Sequence, residues 1–339
     1  MSDKAIKKII TAVVMTAIAV FLFVTVNLLF MPKYIEENQE GRITPEFYRE
    51  KTNDDVIFVG SSTVNSGINP IVLYDDYGIT SYDRSGASQT SWISYYMIKD
   101  AIEVSDPKMV VVDMSFFRYG DDYCEEPSNR KALDGMRFSR TKLQCLRTCM
   151  NEDEKYMDYV FPIGRFHTRW HDLKAEDWKY LYHKPTITYS GYIPAYETEG
   201  AVGESADSSE LDVRMSQRNI LFLENIIGIC QSNGIQLLLI KIPSFDPKWG
   251  DKFEDDILSV ADVHAVQYID FDKYTDEIGI DYSVDTNDAG GHLNDAGATK
   301  FTRFLGKYMT DNYALTDHRN DPEVDKIWKE KSERYHNGR

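Results

Sequence analysis

Cysteine is scarce in this sequence, and its spacing fits no zinc site, although a disulfide outside the membrane is possible. The 339 residues include four cysteines, Cys124, Cys145, Cys149 and Cys230. None lies in a CxxC pair, and no group of histidines and cysteines has zinc-ligand spacing. Cys145 and Cys149 are one helical turn apart, which suits a shared helix face better than a bridge. We therefore predict structural cysteines, and we expect neither a metal nor another cofactor.

Positive charge is also in short supply. Lys and Arg number 38 against 55 Asp and Glu, which gives a formal net charge of −17 at pH 7. Such a surface repels the phosphates of nucleic acids and anionic lipids unless a local basic patch is present. The charge therefore argues against a nucleic-acid-binding function.

Polar residues are nearly absent from residues 9–31, where Asn27 and a few threonines interrupt an apolar run. A helix of this length spans about 30 Å, the thickness of a bilayer core. A cleaved signal peptide is the competing interpretation, but its apolar region is usually shorter and ends at a pair of small residues. This run ends in Leu-Leu-Phe-Met before Pro32, so an uncleaved transmembrane helix is favoured.

The charges beside this run predict its orientation. Lys4, Lys7 and Lys8 precede it, whereas acidic residues outnumber Lys33 just after it. Because positive flanks stay in the cytoplasm, residues 1–8 are predicted to be cytoplasmic and everything after Pro32 extracellular. A single-pass protein of the cell membrane is expected, with a linker at 32–50 and a folded domain at 51–316.

The domain shows the alternation of strands and helices that is typical of an α/β fold. Short apolar stretches predict buried strands at residues 56–59, 109–112, 235–240, 267–271 and, more weakly, 79–82. Apolar residues at three- and four-residue steps predict helices at 88–104, 212–232 and 295–312. Continuous apolar strands separated by helices indicate a parallel sheet covered on both faces.

Two segments do not follow this pattern. Residues 120–211 are rich in Tyr, Trp, His and Arg without a clean alternation, so we interpret them as an insertion over one end of the sheet. Residues 317–339 are interpreted as a C-terminal tail.

The first candidate for chemistry is Gly60-Ser61-Ser62, at the end of the first strand. A serine at such a corner, followed by a helix, is exposed where backbone N–H groups can bind an oxyanion. Ordinary turns and phosphate-binding loops contain the same residues.

The second candidate is the glycine-rich stretch 288–294, which precedes the last helix and contains Asp288 and His292. A histidine there is free to point into a cleft, and a nearby acid can fix its tautomer. The alternative is that Asn294 caps the helix and His292 is an ordinary loop residue. In a parallel sheet, both candidate stretches meet at the carboxyl edge.

These two stretches resemble the SGNH (GDSL-like) hydrolases. Gly60-Ser61-Ser62 is similar to their Gly-Asp-Ser corner, and residues 288–294 are similar to their late Asp…His block. The resemblance covers about 56–104 and 236–312, and it implies a three-layer, flavodoxin-like parallel sheet. Within that superfamily the chain looks most like membrane-anchored bacterial members, namely the D-alanyl-transfer protein of teichoic acid modification and the polysaccharide O-acetyltransferases.

The resemblance implies roles for individual residues. Ser62 would be the nucleophile, His292 the general base and Asp288 its acid. The backbone N–H groups of Ser62 and Gly86 would bind the oxyanion.

This sequence departs from the family in two places. The family's acid usually stands three residues before its histidine, whereas Asp288 stands four before, so Asp285 is kept as an alternative acid. The Gly-x-Asn-Asp block after the third strand is replaced by residues 113–117, so the side-chain oxyanion donor has no counterpart. Losing one such donor costs about 3 kcal/mol of transition-state stabilisation.

One loop of the insertion concentrates cations and aromatic rings. Arg165, His167, Arg169 and Trp170 lie within six residues of each other. They predict either a solvated loop or a surface that binds a polyanionic or sugar-bearing substrate through ion pairs and stacking.

The leading hypothesis is a membrane-anchored, extracytoplasmic serine esterase or O-acyltransferase that acts on a cell-envelope polymer or glycan. By resemblance, a multi-pass membrane protein would be the acyl donor and partner. The alternative is a catalytically inactive SGNH-fold module that binds polysaccharide or scaffolds an envelope complex. A phosphate-binding loop is disfavoured because no lysine follows Gly60-Ser61-Ser62.

Overall fold

The computed structural model describes residues 2–120, 123, 125–201, 211–245 and 249–338. Cys124 lies outside these residues. The chain forms two compact units, one made of residues 1–34 and 152–186 and the other of residues 35–151 and 187–339. The insertion predicted at 120–211 is therefore divided between them, because its middle part packs with the N-terminal helix.

The first unit is helical. Its helices are α1 (Asp3–Phe30), α8 (Tyr156–Val160), α9 (Ile163–Phe166) and α10 (Ala175–Lys179). In length and apolar composition α1 is sufficient to cross a membrane, and its most apolar stretch is not buried by the rest of the chain.

The second unit is built on a parallel sheet with the order β2-β1-β3-β4-β5. The strands are β1 (Val56–Gly60), β2 (Ser81–Ser85), β3 (Met109–Asp113), β4 (Gln236–Lys241) and β5 (Gln267–Asp270). This strand order is the flavodoxin-like one. A two-stranded antiparallel ribbon, β6 (Thr286–Asn287) and β7 (His292–Leu293), lies apart from the sheet.

Helices follow most strands of this unit. They are α2 (Ile43–Phe47), α3 (Ser62–Gly67), α4 (Pro70–Tyr77), α5 (Ser91–Ser105), α6 (Glu126–Leu133), α7 (Arg140–Cys149), α11 (Gln217–Ser232), α12 (Asp251–His264), α13 (Thr275–Ile278), α14 (Asp295–Asn312) and α15 (Pro322–Asn337).

The two faces of the sheet bury separate cores, which makes three layers. On β1, Val56 and Phe58 join a cluster with α4, α14 and α15, while Ile57 and Val59 join one with α5, α11 and α12. Alternate residues of a strand point to opposite faces, so a strand that is apolar throughout serves both cores. The prediction of an α/β fold with a parallel sheet covered on both faces is confirmed.

The C-terminal segment differs from its interpretation as a tail. Residues 322–337 form α15, whose Trp328 and Tyr335 are completely buried. The Trp328 ring stacks on Tyr74 of α4, with centroids 4.9 Å apart, and the Tyr335 hydroxyl donates to Asp295 at the start of α14. The folded domain therefore continues to the end of α15.

The cysteines of α7 lie on one buried face of that helix. Their sulfur atoms are 3.3 Å apart, and Cys230 is a buried free thiol. Cys145 and Cys149 therefore share a helix face.

Candidate active site

The first site element is the turn between β1 and α3, and Gly60 makes it possible. A Cβ at this position would lie 2.6 Å from the Val64 side chain and 3.0 Å from Cβ of Asp113, so only glycine fits without displacing them. Ser61 then adopts an extended conformation at the N-cap, and Ser62 is the first residue of α3. The Ser62 N–H belongs to the helical turn whose amides have no partner within the helix, so it is available to a ligand.

The second element is the β6–β7 ribbon, which presents His292. Asp288 (φ 48°), Ala289 (φ 60°) and Gly290 (φ 96°) form a left-handed turn between the two strands. This conformation is costly for alanine, and it brings the Asp288 carboxylate back onto the ribbon. There Asp288 accepts the backbone N–H of His292 at 2.9 Å. The turn thus accommodates the extra residue between acid and histidine.

Ser62, His292 and Asp288 meet in a continuous hydrogen-bonded chain. Ser62 Oγ is 2.7 Å from His292 Nε2, and His292 Nδ1 is 2.6 Å from Asp288 Oδ2. With the proton on Nδ1, the imidazole donates to the carboxylate and accepts from the serine hydroxyl. This is the geometry in which a histidine removes the proton of a serine nucleophile.

Asp285, the alternative acid, lies elsewhere. Its carboxylate forms a 2.6 Å ion pair with Lys300 and accepts the backbone N–H of Asp281 at 2.8 Å. Asp285 is buried, whereas about half of the Asp288 side chain is exposed. The structure therefore brings Asp288, and not Asp285, to the imidazole.

Asn294 caps α14 by accepting the backbone N–H of Gly297, which is the role that the alternative interpretation gave it.

A polar network lies beneath the serine. Asp113, at the end of β3, accepts from the Thr63 hydroxyl at 2.6 Å and from the Ser115 hydroxyl at 2.9 Å. Thr63 Oγ1 is also 3.1 Å from Ser61 Oγ. Burial raises the pKa of the Asp113 carboxyl, although the hydrogen bonds from Thr63 and Ser115 act in the opposite direction. The network joins the start of α3 to the loop after β3.

The pocket beside Ser62 opens at the carboxyl edge of the sheet and has a volume of about 320 Å³. It lies where β1 is flanked by strands on either side in the order 2-1-3, the usual position of ligands in such sheets. Its wall combines hydroxyls, aromatic rings and one guanidinium: Ser61, Ser62, Thr63, Ser88, Ser115, Phe116, Arg118, Tyr119, Tyr123, Ser244, Phe245, Gly291 and His292. The Tyr119 and Tyr123 rings stack with centroids 4.3 Å apart, and Arg118 lies over Tyr119.

Sequence reasoning did not identify this aromatic wall or the Asp113 network. Both follow β3, in the stretch that departs from the family pattern. A buried strand that ends in Asp and continues with Met-Ser-Phe-Phe-Arg was the available signal, because residues after parallel strands line the ligand edge.

Gly86, the other predicted oxyanion donor, is buried directly after β2. Its carbonyl accepts the N–H of Gln89 at 3.1 Å, in a turn that continues to Ser88 of the pocket wall. The donation of its N–H to an oxyanion stays a prediction.

Arg165, His167, Arg169 and Trp170 belong to the first unit. There Arg169 donates to the Met31 carbonyl at 2.7 Å and pairs with Asp177 at 3.1 Å, so its guanidinium is engaged at the end of α1. Nδ1 of His167 is 3.0 Å from the carbonyl oxygen of Gly164, and Trp170 is exposed. Their role in binding substrate stays a prediction.

Comparison with known proteins finds no match to a family model. No curated protein matches the chain either. Among solved structures, it is similar to a proposed acylhydrolase of Bacteroides fragilis, with 10% identity and a TM-score of 0.37 over 83% of this chain and 99% of that one. It is also similar to a GDSL-like lipase of Bacteroides thetaiotaomicron, with 10% identity and a TM-score of 0.38 over 81% and 98%. These likenesses are too low to bear on the activity of this chain.

Proposed function

We propose that the chain is a membrane-anchored, extracytoplasmic serine esterase or O-acyltransferase of the SGNH type. The observation that carries this proposal is the chain from Ser62 Oγ through His292 to Asp288, with contacts of 2.7 and 2.6 Å. A serine hydroxyl is a weak nucleophile by itself, and an adjacent, oriented imidazole is what activates it.

In the proposed mechanism, His292 Nε2 takes the hydroxyl proton while Ser62 Oγ attacks the carbonyl carbon of an ester. The N–H of Ser62, with that of Gly86, stabilises the oxyanion. His292 then returns the proton to the departing alkoxide, which leaves an acyl group on Ser62. Attack by water or by a hydroxyl of an acceptor, deprotonated by the same imidazole, releases this acyl group.

The pocket wall supports a sugar-bearing polymer as substrate. Stacked Tyr119 and Tyr123 offer flat apolar faces, and the serine hydroxyls around them offer hydrogen bonds to sugar hydroxyls. The apolar, uncovered surface of α1 supports anchoring in a membrane, which favours an acceptor confined to the cell envelope. A multi-pass membrane protein as acyl donor belongs to the same proposal.

Turnover of a short-chain aryl acetate by the full chain in detergent micelles tests the proposal. Ser62→Ala is expected to lower kcat by about 10³-fold or more, because it removes the nucleophile. Ser61→Ala is the matched control, since Ser61 Oγ lies 3.1 Å from Thr63 and does not serve as the nucleophile. Equal turnover by Ser62→Ala and the native chain would contradict serine catalysis.

The loop after β3 favours a second candidate, a non-catalytic module that binds polysaccharide. In place of an asparagine donor it holds Asp113 and Ser115, whose hydroxyl already donates to Asp113. This candidate predicts no turnover even with an acylated polysaccharide as donor, and polysaccharide binding that Ser62→Ala leaves unchanged.

A further inference from the structure

The last turns of α1 are enclosed by residues 152–186, which we call the collar. The Phe23 ring meets Phe161 edge to face, with centroids 5.4 Å apart. Asn27 accepts the backbone N–H of Ile163 at 3.0 Å and donates to the carbonyl of Phe23 at 2.9 Å. The one strongly polar side chain of the apolar run is therefore satisfied by α1 itself and by the collar.

The collar and Lys33 together donate hydrogen bonds to carbonyls at the end of α1, which have no partner within a helix. Arg169 donates to Phe30 and Met31, and Lys33 donates to the Leu29 carbonyl at 3.0 Å. Asp177 pairs with both cations, at 3.2 Å from Lys33 and 3.1 Å from Arg169. In water such carbonyls are satisfied by solvent, whereas next to the hydrocarbon core of a bilayer donors from the protein replace the missing water.

The outer surface of the collar is rich in exposed amphipathic rings. Tyr182, Trp170 and Trp178 are 81%, 61% and 54% exposed, and Phe161 and Met157 of the collar are exposed as well. Water does not favour this arrangement, whereas Trp and Tyr are enriched at the headgroup level of membrane proteins.

The charge of the collar differs from that of the chain. The whole collar contains six Lys and Arg against seven Asp and Glu, but its C-terminal part, residues 161–186, contains five Lys and Arg, three Asp and Glu and three His, a net charge of +2 within a chain of −17. Each Lys or Arg near an anionic bilayer surface contributes about 1 kcal/mol to binding. The C-terminal part of the collar, residues 161–186, is thus a local basic patch.

We infer that the collar is a membrane-interface element, which lies in the headgroup layer around the end of α1 and binds anionic lipid headgroups there. Continuity supports a lipid surface as the occupant, since α1, about 42 Å long as a 28-residue helix, enters the collar directly from its uncovered apolar segment. The inference rests on the anchoring part of the proposed function and is independent of the chemistry of Ser62.

Tryptophan quenching by brominated lipid tests this inference on the full chain reconstituted into phosphatidylcholine–phosphatidylglycerol vesicles. The described part of α1 contains no tryptophan, and Trp170 and Trp178 are two of five in the chain. Lipids brominated near the headgroup are expected to quench the native chain, and the variant W170F/W178F is expected to lose most of that quenching. Trp249→Phe, in the other unit, is the matched control and is expected to retain it.

Three further results bear on the inference. Stronger quenching in vesicles with phosphatidylglycerol than in pure phosphatidylcholine, reduced by high salt, supports headgroup binding. Equal quenching of the native chain and W170F/W178F would overturn it. Full access of aqueous iodide to Trp170 and Trp178 in vesicles would overturn it as well, in favour of a protein partner. Flotation with the vesicles reports separately on α1, and turnover by Ser62 reports separately on the enzyme.

Discussion

At the scale of single residues, the site depends on how Asp288 reaches the imidazole. Its backbone is left-handed (φ 48°). One carboxylate oxygen accepts the backbone N–H of His292, and the other is hydrogen-bonded to Nδ1 of the same residue. A glycine-rich loop was the signal in the sequence that allowed an unusual spacing of acid and base. The sequence favoured Asp288 but left Asp285 as an alternative, because the ion pair of Asp285 with Lys300 cannot be read from the spacing.

Asp288→Asn and Asp285→Asn are expected to have different effects. Asparagine at 288 favours the wrong imidazole tautomer, so kcat for an aryl acetate should fall by about 10²- to 10⁴-fold while the fold is kept. Asparagine at 285 weakens a buried ion pair and should lower the free energy of unfolding by about 1–3 kcal/mol with a much smaller change in kcat. Kinetics and urea unfolding of both variants check this. A large loss of kcat in Asp285→Asn together with a small one in Asp288→Asn would mean that Asp285 is the acid that pairs with His292.

At the scale of elements, the apolar strands β1 and β3 were predictable, whereas the polar strand β2 was predicted only in part. Residues 56–59 and 109–112 are apolar throughout, as a strand buried on both faces requires. In β2 the residues are Ser-Tyr-Asp-Arg-Ser, and Arg84 is buried only because Asp100 of α5 accepts its guanidinium at 2.7 Å. Such a partner, distant in sequence, leaves no local pattern, so the prediction for β2 began two residues early.

Helix α15 was missed for a related reason. Its two core residues, Trp328 and Tyr335, are separated by mostly charged residues, so the apolar stripe is too thin to distinguish from a solvated tail. The short helices of the collar were also unpredictable, since their partner is α1 and not the sheet.

Trp328→Ala tests whether α15 belongs to the domain. Removing a fully buried ring that stacks on Tyr74 should lower the free energy of unfolding by about 3–5 kcal/mol. Lys326→Ala, on the exposed face of the same helix, is the matched control and should change it by less than about 0.5 kcal/mol. Urea unfolding of the full chain in detergent gives both values, and equal stability of the two variants would mean that α15 is dispensable.

At the scale of the whole molecule, the buried acid Asp83 links stability to pH. Neither of its carboxylate oxygens has a hydrogen-bond partner within the described ranges, and burial holds the pKa of Asp83 well above its ordinary value. Above about pH 4 the unfolded chain releases this proton and the folded chain keeps it. Stability therefore falls as the pH rises, by about 1.4 kcal/mol per unit for this group until it ionises in the folded state.

Asp83→Asn is expected to remove this contribution. The stability of the variant relative to the native chain should increase between about pH 4.5 and about pH 7.5, because asparagine does not titrate. The free energy of unfolding in urea at both pH values measures the effect. Asp255→Asn, at an exposed position of α12, is the control, and a difference for Asp83→Asn that does not change with pH would refute the linkage.

The central claim is that Ser62 is a nucleophile activated by His292, and covalent labelling tests it most directly. The full chain is treated with an organophosphonate that reacts with activated serines, and the modified peptide is identified by mass spectrometry. We predict one adduct on Ser62, formed much more slowly in His292→Ala, with His318→Ala, whose imidazole pairs with Asp55, as the control. Absence of an adduct on Ser62, or labelling of His292→Ala at the native rate, would contradict the claim.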